Sequence, residues 1–138
     1  MSIQYPGGVK TQYVGVLNQQ ADMASGEAEW LWNSGNTGLV VSWITTTTCN
    51  STAGLQGVDN ALLTKATNVA LISQGNATKA GRTWRYQTYS FTYNGTPGYA
   101  TFAVSYYGSS GRAYVLGYID VSSGTLVSLE GYGNSFTG

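Results

Sequence analysis

The stretch Arg82-Thr83-Trp84-Arg85-Tyr86-Gln87-Thr88-Tyr89-Ser90-Phe91-Thr92-Tyr93 decides the fold. Side chains of a strand alternate between its two faces. Trp84, Tyr86 and Thr88 therefore share one side, and Tyr89, Phe91 and Tyr93 the other. Asn94-Gly95-Thr96-Pro97-Gly98 follows with turn chemistry. Tyr99 to Tyr107 is then extended, with Ala100, Phe102, Val104 and Tyr106 on one face, and Gly108-Ser109-Ser110-Gly111 turns again. The next strand, Arg112 to Val121, is apolar on both faces: Ala113, Val115, Ile119 and Val121 against Tyr114, Leu116 and Tyr118. A strand of that kind is central to its sheet and covered on both sides. These three strands form a meander.

Toward the N-terminus the period changes. Leu55, Val58, Leu62, Ala66 and Val69 recur at steps of 3, 4, 4 and 3, one stripe of an α-helix over about 55–71. Asp59 near its start suits the helix dipole. Gly75 lies beyond its end, and a short strand around 71–74 follows. Before the helix, Glu27 to Trp32 and Gly38 to Thr47 flank Asn33-Ser34-Gly35-Asn36-Thr37-Gly38 and read as a β-hairpin. Ile3 to Leu17 reads as two short extended pieces around Pro6-Gly7-Gly8. Beyond the meander, Leu126, Leu129 and Phe136 fit helical steps, so Thr125 to Phe136 is expected to hold a short C-terminal helix, weakened by Gly131 and Gly133. No internal repeat or linker divides the 138 residues, which suit one domain over 1–138.

Composition excludes several functions. Charged residues make up 9%, against roughly 25% in a typical soluble protein. Six basic residues balance six acidic ones. A neutral chain with scattered charge makes a poor partner for nucleic acid or anionic lipid. Histidine is absent, which removes the His-based triads, the usual zinc sites and the commonest general base. The single Cys49 forms no internal disulfide or thiolate cage. The expectation is a protein that is not an enzyme and holds no cofactor or metal. No run approaches the roughly 18–20 apolar residues of a membrane span, so this segment is not expected to insert into a bilayer. Met1 runs directly into Ser2-Ile3-Gln4-Tyr5-Pro6, which reads like an early strand, so the expectation is either that the native chain begins there or that a leader or anchor has been removed from it.

Several strings resemble one family. Ser2-Ile3-Gln4-Tyr5-Pro6 resembles its opening, and Ala80-Gly81-Arg82-Thr83-Trp84-Arg85-Tyr86 is similar to its glycine-plus-aromatic entry to the meander. Gly111-Arg112-Ala113-Tyr114-Val115-Leu116 and Asn134-Ser135-Phe136 resemble its later strand and its closing helix end. The family is the PsbP-like group, which includes extrinsic photosystem II subunits and DcrB-type lipoproteins. The resemblance implies an α+β fold: an α/β/α sandwich around an antiparallel sheet of about six strands, with one main helix and a short C-terminal one. It carries no functional residue onto this chain, and the fold serves unrelated roles. What it leaves is the uncharacterised, exported or membrane-anchored branch.

Candidate contact residues are aromatic. Trp30 and Trp32 share a strand face and could form a stacking platform for a protein partner or a glycan. Large aromatics are more often core, and Trp43 and Trp84 read that way. Of the tyrosines that stud the meander, Tyr89, Tyr93 and Tyr107 are the contact candidates. Asn50, Asn76 and Asn94 open Asn-X-Ser/Thr sequons, all expected in loops, where an exported protein could be glycosylated. Glu27 and Glu29, on one strand face about 7 Å apart, would serve a glycan hydrolase only across a cleft; solvated edge charges are the commoner case. For Arg82 and Arg85, flanking Trp84, an ion pair or cation–π contact is favoured over nucleic-acid binding. The functional expectation is an extracytoplasmic binding or accessory module. The alternative is a self-assembling filament or surface-layer subunit, since low net charge favours self-association.

Overall fold

A computed structural model of the chain describes residues 9–13, 25–32, 36–45, 55–57, 60, 64–79, 81–107, 112–134 and 136. Seven strands form one antiparallel sheet: β1 (Val9–Tyr13), β2 (Ser25–Trp32), β3 (Thr37–Thr45), β4 (Thr67–Lys79), β5 (Arg82–Tyr93), β6 (Thr96–Tyr107) and β7 (Arg112–Asp120). Their spatial order is β1-β2-β3-β7-β6-β5-β4. The chain leaves β3 at mid-sheet, crosses to the far edge at β4, and meanders back through β5 and β6 until β7 pairs with β3. The crossing passes over three strands, about 19 Å from β3 to β4 at the usual spacing. Helical residues at 55–57, 60, 64 and 65 lie in this connection.

The α+β class is as expected, and β7 is the middle strand. The sheet has seven strands where about six were expected. The expected helix does not extend to 71: residues 67–71 belong to β4, a strand of 13 residues where the sequence shows four. Ala66 and Val69 extend the helical stripe by coincidence. β4 hides its own period because none of its residues is fully buried and its register with β5 slips twice, between Thr67 and Ala70 and between Leu71 and Ser73. Asn68, at φ 53°, sits at the first slip, as residues of bulges do.

One face carries the larger core. Leu39, Val41 and Trp43 of β3 stand opposite Tyr118, Leu116 and Tyr114 of β7. Ala103 and Trp84 continue the layer, and Leu129 of the C-terminal helix, Thr125–Gly133, and Phe136 just beyond that helix close it. Phe136 meets Trp84 and Tyr114 edge-on at 5.4 and 5.3 Å, a favoured geometry for rings. The Arg82 guanidinium lies 5.0 Å from the Tyr114 centroid and 5.4 Å from that of Phe136, the cation–π contact expected for it. On the opposite face Tyr89, Ala100, Val104 and Ala113 are buried, so the centre is covered on both sides. There the Phe102 ring lies across Gly117, where a Cβ would come within 2.7 Å of it.

The helix starts without a conventional cap. Gly124 is left-handed, at φ 90°, and offers no side chain. Instead the buried hydroxyl of Thr125, the first helical residue, lies 2.8 Å from Thr101 Oγ1, which lies 2.8 Å from Thr88 Oγ1. A row of three buried hydroxyls thus joins β5, β6 and the helix.

Candidate functional site

The β5–β6 connection is tighter than its sequence suggests. Only Asn94 and Gly95 lie outside the strands, at φ 49° and 79°, the paired positive values of a type I′ hairpin turn. Thr96, Pro97 and Gly98 are already in β6, opposite Tyr93, Thr92 and Phe91. Pro97 precedes the β6–β7 register, which begins at Tyr99 opposite Asp120, so its missing N–H forfeits no bond to β7. Gly98 lets the Phe91 ring lie close, since a Cβ there would meet that ring at 3.2 Å.

This hairpin tip forms one wall of an open cleft. Phe91, Tyr93 and Pro97 supply its aromatic and apolar wall and Asn36 and Asn94 its polar residues; Asp120 also lines it, but its carboxylate is turned to the opposite face of the sheet. Tyr93 is 52% exposed and Val121, at the end of β7, 46%. Asp120 is held in place: its Oδ1 accepts from Thr37 Oγ1 at 3.2 Å and from the Ser122 backbone N–H at 3.4 Å, and its Oδ2 accepts from the Tyr118 hydroxyl at 3.5 Å. The Tyr118 ring stands 5.5 Å from that of Tyr132 on the helix. Burial pushes both phenols above their usual pKa, and the Asp120 carboxylate raises them further. Both rings are therefore neutral hydroxyls at physiological pH. On the cleft face the arrangement presents an aromatic surface beside Asn36 and Asn94, chemistry suited to holding a ligand.

The structure sorts the candidates named from sequence. Tyr93 lies in the cleft. Tyr89 is corrected: it is only 3% exposed, and its hydroxyl donates to Gln87, so it presents no contact surface. Trp43 and Trp84 are core, as expected. Trp30 stands opposite Leu39 and Trp32 opposite Thr37, on the register of the larger core. The side chains of Trp30, Trp32 and Tyr107 lie outside the described residues, as do that of Glu27 and residues Cys49 and Asn50. Asn94 is exposed at the turn, whereas Asn76 is exposed in the middle of β4 and not in a loop. Sequence reading passed over Asp120 and Asn36, which enter the cleft only because β7 and β3 are neighbours. The lone acid closing an apolar central strand was the available signal for Asp120. A second, shallow apolar groove lies under the C-terminal helix, among Ala77, Trp84, Tyr86, Leu126 and Leu129. Among the described residues no cluster of three His, Cys, Asp or Glu could hold a metal, and no helix is long and apolar enough to cross a membrane.

The solution structure of cyanobacterial PsbP (CyanoP) from Synechocystis sp. PCC 6803 matches this chain with a TM-score of 0.61, covering 96% of this chain and 83% of that one. The chain has a PsbP-like fold. At 13% identity the likeness is one of fold. A protein of unknown function from Pseudomonas aeruginosa, PA94, shares the PsbP-like architecture with a TM-score of 0.56 and 11% identity, over 90% of each chain. No protein-family model matches the sequence, and no curated protein matches it.

Proposed function

We propose that this PsbP-like domain is a non-catalytic binding module that works outside the cytoplasm, and that its contact site for a protein partner is the cleft at Tyr93. One observation carries the reading: Tyr93 stands half-exposed in an open cleft beside Phe91 and Asn94. Tyrosine gives a large contact area with a hydrogen-bonding tip at low entropic cost and is enriched at interfaces. The absence of histidine supports a role without acid–base chemistry. A surface of hydroxyl, amide and tyrosine groups in place of Lys and Glu supports work outside the cytoplasm, as do the sequons.

The test places a photo-crosslinking amino acid at Tyr93 in the native host, with Val127, which is 73% exposed on the helix, as the control position. One discrete adduct from position 93, absent from position 127 and recovered from the exported fraction, is expected. Equal adducts from both positions, or none from position 93, would sink the binding claim, and recovery of the protein in the cytoplasm would sink the location.

A further inference from the structure

The edge strand β4 is the least protected part of the molecule. It pairs with β5 on one side, and among the described residues no strand lies beyond it. None of its 13 residues is buried, and Leu71 and Ile72 are 47% and 53% exposed. An edge strand offers the outward N–H and C=O groups of alternate residues to any further strand, and proteins guard such edges with charges, prolines or bulges. β4 has bulges only in its first half. From Ser73 to Lys79 its register with β5 is unbroken, and that run has no proline and no charge before Lys79. Among the described residues the opposite end of the sheet is β1, whose register with β2 shifts between Lys10 and Gln12.

We propose that Ser73–Lys79 pairs antiparallel with the same segment of a second copy of this chain, about a two-fold axis at Asn76. The pairing sets Asn76 against Asn76, Gly75 against Ala77, Gln74 against Thr78 and Ser73 against Lys79. Each contact is self-consistent. The primary amide of Asn76 both donates and accepts, so two of them bond reciprocally. Gly75 and Ala77 are small where Tyr86 leans over the edge: a Cβ on Gly75 would meet the Tyr86 hydroxyl at 2.8 Å. No like charges face each other, and the chain has zero net charge, so two copies do not repel. A two-fold contact uses one patch twice and closes. The product is a dimer with a sheet continuous across the axis, not a filament. The surface is separate from the Tyr93 cleft and does not depend on it.

Sedimentation of the full, unglycosylated chain over a wide concentration range tests this. A reversible monomer–dimer equilibrium is expected. Asn76→Lys, which opposes two charges at the axis, weakens the dimer about tenfold or more, while Val127→Lys and Tyr93→Ala leave it unchanged. Circular dichroism confirms that each variant folds. Independently, Cys49→Ser/Asn76→Cys oxidises to a covalent dimer and Cys49→Ser/Val127→Cys does not. A chain that stays monomeric at millimolar concentration, assembles beyond a dimer, or dimerises equally well with Asn76→Lys overturns the proposal.

Discussion

The Oγ1 atoms of Thr101 and Thr125 lie 2.8 Å apart with both side chains buried, so the C-terminal helix is anchored to the middle of the sheet by a hydroxyl pair at its first residue. Thr101 also meets Thr88 and is the centre of the row. Thr101→Val keeps the shape and removes both contacts. Its two former partners then stay buried with fewer bonds, a loss of about 1–3 kcal/mol. Denaturant unfolding checks this, and the Thr88→Val/Thr101→Val/Thr125→Val triple variant should recover part of the loss, because no buried hydroxyl is then left behind.

Gly117 and Phe102 stand opposite each other in β7 and β6. A methyl group at 117 overlaps the Phe102 ring, and β7 is held between two neighbours, so it cannot move aside. Gly117→Ala is expected to cost about 1–3 kcal/mol. Phe102→Leu in the same chain should return some of that stability, because the ring causes the clash. Thermal unfolding of the two single variants and the double one measures the coupling, and additive effects would refute the account.

Phe136 lies beyond the last helical turn yet is only 1% exposed. It touches the rings of Trp84 and Tyr114 and the guanidinium of Arg82. Phe136→Ala leaves a cavity beneath the helix end and is expected to cost about 3–5 kcal/mol. Tryptophan fluorescence should report the change as well, because Trp84 loses its edge-on neighbour.

The phenols of Tyr118 and Tyr132 are raised in the folded chain, first by burial and then by Asp120. The folded state therefore holds these protons more tightly than the unfolded state. Their contribution to stability is complete below the ordinary tyrosine pKa near 10 and is lost as pH climbs above it. Asp120→Asn removes the second cause and leaves burial in place. Phenolate absorbance should then show both groups titrating at lower pH than in the parent chain, still above the ordinary tyrosine value near 10.

The meander was legible because its two-residue period coincides with burial. Trp84, Tyr86 and Thr88 do share a face, and both faces of β7 are apolar because both are covered. β4 was not legible for the opposite reason. At the sheet's edge neither face is sealed, so polar and apolar residues occur without alternation, and the bulges reset the phase. The Ala80-Gly81 pair, a two-residue link between β4 and β5 with Gly81 at φ 73°, was the local sign that an extended segment ends at Lys79. Tyr89 illustrates the limit for site residues. It lies on the same strand face as Phe91 and two residues from it, yet its burial depends on where along the sheet the covering layer ends.

Local chemistry alone determined that the hairpin and the meander are extended, where Asn94-Gly95 would turn, that Trp43 and Trp84 would be core, and that no histidine-based site exists. These are properties of neighbouring residues and of composition. Tertiary structure decided the rest, because it depends on which distant segments become neighbours. It made β7 the partner of β3, which brings Asp120 to Thr37. It left Tyr93 half-exposed while burying Tyr89, and it put the uncharged run from Ser73 to Thr78 on the strand that ends the sheet among the described residues.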